Sequence, residues 1–490
     1  MRDLLKTEDW WAVWIGLFLV GLSLLGVQGF HALGFGISTS EWLEVGKAMS
    51  PSSAAAYPAL PGWGSLLATY VFLLVVLCIG AAAMGWDVPK FAGGFTVIFA
   101  VSYACVLIGH YAYIATTPDK FLAAGAEPKP GKFAIGWSLG LTGEAGYILA
   151  LAAGLLVGNF FPRIGHALVS GARSEWFIKT AIVILGLGLG VKAAGAATLT
   201  SAILFRGFAA IVEAYLIYWA LVYFVARKFF KFSREWAAPL ASGISICGVS
   251  AAIATGAAIR ARPVVPIMVS SLVVVFAVME LVLLPLIAQY FLFLQPLVAA
   301  AWMGLAVKTD GAAVAAGTIT QAWINARMLH EGNPAYDGDM ILMTTTTVKM
   351  FIDVFIGVWS FVLALIWVYK IDRRPGETVR AVEIWQRFPK FVLGYGLVFA
   401  GAFALTYNLP SLLPGLKQAV KEADVFRSLF FAMTFFAIGM GANFKKLWAE
   451  GIGRLALVYV ISLFGFVIWI GLAISWLFFH GVLPPMATGG

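Results

Sequence analysis

Two ionisable residues stand where a membrane segment would carry leucine. Lys308 and Asp310 lie in the stretch Trp302 to Gln321, WMGLAVKTDGAAVAAGTITQ, among strongly apolar neighbours. A charge at the centre of a spanning helix costs about 2.5–3.5 kcal/mol on insertion scales, so by default it marks a functional site. Lys308 supplies a countercharge for an anion, and Thr309 or Asp310 can cap the helix that follows. Gly311 leaves room for a ligand. An earlier stretch, Ser242 to Ile259 (SGISICGVSAAIATGAAI), is similar in kind. There Ser245, Cys247, Gly248 and Ser250 offer hydroxyls, a thiol and backbone N–H groups. The alternative reading of both stretches is close helix packing through small residues.

Four more ionisable residues sit at membrane depth: Glu213, Glu280, Lys349 and Asp353. Lys349 and Asp353 are four apart and can pair on one helix face, which by itself would explain both as a neutral structural pair. Desolvation also shifts buried lysines and acids toward physiological pH, so all four are candidates for ion coupling. Glu213 and Glu280 each stand alone in an apolar run, where a lone acid is protonated or paired with a cation on a neighbouring helix. Glu144 reads as a first-turn acid complementing a helix dipole. Arg227, Lys228, Lys231 and Arg234 read as an anchor on the inner face.

Helices in a bilayer must position these residues. The chain has 490 residues, 61% of them hydrophobic and 12% charged, with a mean hydropathy of +0.91. That composition excludes a soluble surface and predicts an all-α polytopic membrane protein. The formal charge of +9 resides in short loops between apolar runs, where it signals topology and calls for no nucleic-acid partner. Cys78, Cys105 and Cys247 fall inside apolar segments, and the five histidines are scattered. No disulfide framework, metal-ligand spacing, nucleotide loop or GxSxG motif is present, so the sequence predicts neither a cofactor nor an enzyme.

Runs of spanning length predict about thirteen crossings. Three (Trp10 to Ile37, Gly64 to Trp86, Phe91 to Ala115) form an N-terminal block that, with a Pro/Gly/Lys linker, occupies residues 1–132 and reads as peripheral. Residues 133–490 hold the transporter core, divided into two five-helix repeats at about 143–293 and 296–479. The lysine and arginine excess places the N-terminus in the cytoplasm, the basic loop Lys370 to Lys390 inside, and the C-terminus outside.

Both small-residue stretches read as broken transmembrane helices. Irregular backbone survives at membrane depth only where protein buries it or where it lines a wet site. An opened half-helix N-terminus presents free N–H groups and roughly half a positive charge, as at the midplane sites of secondary transporters. Phe177 to Gly195 resembles Phe430 to Leu447 in its glycine spacing, and in the thirteen-crossing count the two run in opposite directions. An inverted repeat requires that orientation. The register stays open: a five-helix offset pairs Ser242 to Ile259 with Phe426 to Ala442, whereas glycine spacing pairs Phe177 to Gly195 with that same segment. Gly186, Gly188, Gly190, Gly439 and Gly441 could equally be packing glycines.

These segments carry a family resemblance. SICG at Ser245 to Gly248, VAAG at Val314 to Gly317 and the LGLGLGVKAAG run resemble the sulfate exporter family of conserved bacterial membrane proteins, often called YeiH-like. The resemblance covers roughly Gly143 to Phe479. It implies a bacterial inner-membrane secondary transporter related to the cation/proton antiporter and anion transporter folds, with elevator-type alternating access and a homodimer. One departure is specific. Where the family usually has a His-Glu pair followed by Gln, this chain has Lys308, Thr309 and Ala312, with an extra acid at Asp310. A cation is kept for an anion site, whereas proton coupling through a His-Glu pair does not carry over. The expectation is a secondary transporter of a small anion such as sulfate, sulfite, a sulfonate or a carboxylate, coupled to protons or sodium. The rivals are a Na⁺/H⁺-type antiporter, with Asp310 as ion ligand, and an uncoupled channel or sensor.

Overall fold

The computed structural model describes residues 2–116, 120, 131–139, 143, 145–195, 197–208, 212–248, 250–262, 264–336, 339–354, 356–371, 389–442 and 453–486. Their regular structure is helical apart from a small hairpin, in which β1 (Ile37–Thr39) pairs antiparallel with β2 (Met49–Pro51). The N-terminal block is α1 (Glu8–Leu24), α2 (Gly62–Ala83) and α3 (Val88–Gly109). Thr7 caps α1, whose first turn carries Glu8 and Asp9, and Asp87 caps α3. Next come α4 (Ala145–Phe160), α5 (Pro162–Leu168), α6 (Ser174–Gly195), α7 (Ala197–Gly207) and α8 (Trp219–Lys228). A π-helical turn, Glu213–Tyr218, precedes α8. The central helices are α9 (Arg234–Ser245), α10 (Ser250–Ala258), α11 (Val264–Phe291), α12 (Pro296–Ala306) and α13 (Asp310–His330). The chain continues through α14 (Met340–Val354), α15 (Ile356–Ile366), α16 (Phe391–Asn408), α17 (Leu413–Gly441), α18 (Gly453–Ser462) and α19 (Ile468–Phe479).

Among the described residues nine helices are long and apolar enough to cross a membrane, or ten if α4 and α5, bent by 114° where Pro162 follows Phe161, count as one span. The chain is a multi-pass all-α membrane protein. Four of the thirteen expected segments do not form single continuous spans, which accounts for the lower number. One is this bent pair, one falls on α7 and α8 with residues 209–211 between them undescribed, and two are the broken stretches α9/α10 and α12/α13. Glu144 and most of the basic loop Lys370 to Lys390 lie outside the described residues.

Helices α6 and α17 form the centre of one bundle. The α6 helix lies along α16, and α17 lies along α4. Glycine makes both contacts possible. A Cβ on Gly190 would meet Phe399 O of α16, and one on Gly439 would meet Leu151 O of α4, so only hydrogen fits between these backbones. Gly439→Val is expected to lower the melting temperature by an amount equivalent to about 1–3 kcal/mol of overpacking, which thermal denaturation of the solubilised protein measures. The N-terminal block packs on this bundle, with α1 against α6 and α3 against α4.

A second bundle holds α8 to α15 with α18 and α19, and it meets the first along α11 and α13. One exposed link between the bundles is ionic. Lys192 on α6 donates to Asp339 at 2.5 Å, and Asp339 also accepts from Gln321 of α13 at 2.6 Å. Burial pushes the Asp339 carboxyl up, but the Lys192 ammonium and the Gln321 amide outweigh it and hold it below the usual carboxylate range. With the folded pKa below the unfolded one, this link stabilises above the unfolded value near about pH 4 and is lost as pH falls through the folded value. Asp339→Asn is therefore expected to flatten the acid limb of a melting-temperature profile against pH.

Candidate functional site

The two broken helices meet at their breaks. Helix α9 closes with Ile246 N–H donating to Ser242 O at 3.0 Å, and α12 closes with Val307 N–H donating to Met303 O at 3.1 Å. Gly248 N–H instead donates across to Lys308 O at 2.5 Å, joining one interruption to the other. A Cβ on Gly248 would collide with Val273 of α11, so this approach needs glycine. Thr309, in extended backbone, caps α13 by accepting from Ala312 N–H at 3.2 Å.

Each half-helix C-terminus ends against a buried lysine. The Lys308 ammonium donates to Leu305 O in the last turn of α12. The Lys349 ammonium, on α14, donates to Ile246 O at the end of α9, at 2.8 Å. Unsatisfied carbonyls there carry roughly half a negative charge, and a cation placed on them offsets it. Lys349 also lies 3.9 Å from Asp353 on its own helix. Glu280 of α11 serves the opposite end: its carboxylate accepts from Lys308 N–H, just ahead of α13, at 3.0 Å and from Tyr459 of α18 at 3.1 Å. Glu213 accepts from Tyr218 at 2.6 Å, and the Tyr218 ring centre is 4.6 Å from the Lys308 ammonium. All five charged residues are at most 1% exposed.

Ser245, Cys247, Gly248, Lys308, Thr309 and Gly311 thus lie in or directly beside the two breaks. Glu280, Lys349 and Asp353 bear on these breaks through the contacts just given, and Glu213 reaches Lys308 by way of Tyr218. The side chains of Ser250 and Asp310 lie outside the described residues; their backbones begin α10 and α13. The sequence reading missed Tyr218, Tyr459 and Ser270. Tyr218 follows Glu213 by five, a spacing that only a π-helical turn brings onto one face, and the run EAYLIY does not announce that turn.

A cavity of about 360 Å³ opens at the start of α13. Thr309 and Gly311 line it on one side, Ser270 of α11 on another, and Ser174, Glu175 and Thr434 of α6 and α17 across the bundle boundary. Ser270 Oγ and, at the break, Ser245 Oγ are buried without a hydrogen-bond partner among the described residues. No described residue of the N-terminal block lines this cavity. Free N–H groups at the head of a 21-residue helix, with hydroxyls around them, form an environment for a small anion.

The fold and this crossing define a polytopic membrane protein built around two interrupted helices. The family model described as Conserved hypothetical protein 698 matches residues 141–459, and the chain belongs to that family. A UPF0324 membrane protein of Nitrosomonas europaea is 40% identical over 488 residues, which is 98% of this chain and 97% of the relative. An uncharacterized protein of Archaeoglobus fulgidus is 49% identical over 172 residues, 31% of this chain and 92% of its own. A UPF0324 membrane protein of Nitratidesulfovibrio vulgaris is 28% identical over 435 residues, 86% of this chain and 66% of the relative. No solved structure matches the chain.

Proposed function

We propose that the protein is a secondary active transporter of a small oxyanion, of the sulfate, sulfite, sulfonate or carboxylate class, bound at the head of α13. The observation that carries this reading is the cavity bounded by Thr309, Gly311 and Ser270, where one half-helix presents its N-terminus beside a break cross-linked by Gly248 and Lys308. The cavity falls between the two bundles, so a shift of one against the other would alter which side reaches it. In this reading the two bundles move by elevator-type alternating access, in an inner-membrane protein with the N-terminus cytoplasmic and the C-terminus outside. Glu213, Glu280, Lys349 and Asp353 are the groups available for proton or sodium coupling.

Packing supports an inverted repeat in one register. In it α4 corresponds to α16, α6 to α17 and α8 to α19, pairs that run in opposite directions in the thirteen-crossing count. The α6 helix lies on α16 as α17 lies on α4. Both α8 and α19 follow a π-helical turn. This register keeps the glycine-spaced segments paired. A homodimer is proposed with it, to be read from the mass of the solubilised particle.

Glu280 at the crossing favours a second reading, a Na⁺/H⁺-type antiporter. Ligand-dependent thermal stabilisation separates the two. Sulfite or sulfate is expected to raise the melting temperature at constant ionic strength; stabilisation by Na⁺ or Li⁺ alone would overturn the anion reading.

A further inference from the structure

A second charged wall lies on α17, apart from the residues that line the cavity at the head of α13. Arg427, on α17, borders both a cavity of about 1160 Å³ and another of about 730 Å³. Its Nε pairs with Asp424 and its guanidinium lies 5.0 Å from the centre of the Phe431 ring, yet its Nη1 is buried without a hydrogen-bond partner among the described residues. A buried donor left unmade is costly, and more so when charged, so it calls for an acceptor. Lys417 and Lys421 project from the same helix one turn apart, and neither forms an ion pair among the described residues. Like charges at that spacing repel unless something lies between them. Lys192 and its partner Asp339 complete the smaller cavity, giving four cations against two acids. Arg427 precedes Thr434, which lines the inner cavity, by seven residues, or about 10 Å along the helix.

We propose that this wall is a separate anion-binding site, in which Arg427 and Lys421, with Lys417 at the rim, hold an oxyanion of the sulfate or carboxylate class. A guanidinium with one free Nη matches the paired oxygens of such anions. The site does not depend on the transport reading. Neither Lys417 nor Lys421 belongs to the helix crossing, and both are exposed, so their replacement leaves the fold intact.

The test is equilibrium binding of radiolabelled sulfate to the full chain in nanodiscs at fixed ionic strength. Wild type is expected to bind two sulfates per chain, and Lys417→Gln/Lys421→Gln to weaken one of them at least about tenfold with an unchanged melting temperature. Arg427→Lys keeps the charge without the fork and should weaken the same site less. Wild-type stoichiometry and affinity in Lys417→Gln/Lys421→Gln and Arg427→Lys would overturn the proposal. So would a wild type that binds no sulfate, or one sulfate that Lys308→Ala/Glu280→Gln abolishes and Lys417→Gln/Lys421→Gln does not. The reverse pattern, a single sulfate lost only in the lysine double variant, supports this site and counts against the one at α13.

Discussion

Lys349→Met is expected to destabilise the solubilised protein by about 3–5 kcal/mol, the usual cost of leaving one member of a buried ion pair uncompensated. The lysine is fully buried, caps the carbonyl of Ile246 at 2.8 Å and lies 3.9 Å from Asp353. Removing it leaves the end of α9 and the buried Asp353 carboxylate without that cation. The double variant Lys349→Met/Asp353→Leu should regain most of the loss, because apolar side chains of similar volume replace a buried pair at little net cost. Chemical or thermal unfolding of both variants measures this. Equal instability of the single and double variants would show that Asp353 is not the group Lys349 compensates.

A second large effect is expected at Lys308, and it separates architecture from ligand binding. Lys308→Ala removes the cap on Leu305 and leaves Glu280 without its nearby cation, so both stability and anion transport should fall. In Lys308→Ala/Glu280→Gln the charge imbalance is gone and the Tyr459 contact can persist, so stability should return toward wild type. Transport should not return, because the positive potential beside Thr309 and Gly311 is still missing. A stable double variant that carries anions at the wild-type rate would show that Lys308 serves the fold alone. Lys308→Arg, which keeps the charge on a bulkier head, is expected to retain part of the activity.

The breaks themselves were legible in the sequence. Runs such as SGISICG and VKTDGAA place small and hydroxylated residues where an uninterrupted span would carry leucine; α9 ends within the first and α12 directly before the second. The class of protein followed from composition and from the length of the apolar segments. What local sequence could not supply was partnership across the fold. Asp310 is the nearest acid to Lys308 in the chain, but the carboxylate bonded to the Lys308 backbone comes from Glu280, 28 residues earlier on α11. Lys349 lies 3.9 Å from Asp353 on one helix face, a spacing visible in the sequence, but it also donates to Ile246 O, 103 residues away, which is not. The Gly248 to Lys308 bond joins two backbones, which no side-chain pattern encodes. The closeness of α6 to α16 and of α17 to α4 rests on glycines whose spacing was visible but whose partners were not.

Counterflow in proteoliposomes tests the central claim, an oxyanion transporter with its site at the head of α13, most directly. Vesicles loaded with unlabelled sulfite or sulfate and diluted into trace labelled anion should accumulate label transiently when they contain wild-type protein. Vesicles holding Lys308→Ala/Glu280→Gln, at matched protein content and melting temperature, should not. Sodium- or lithium-driven proton exchange by the wild type, with no anion counterflow at any imposed pH or sodium gradient, would contradict the account.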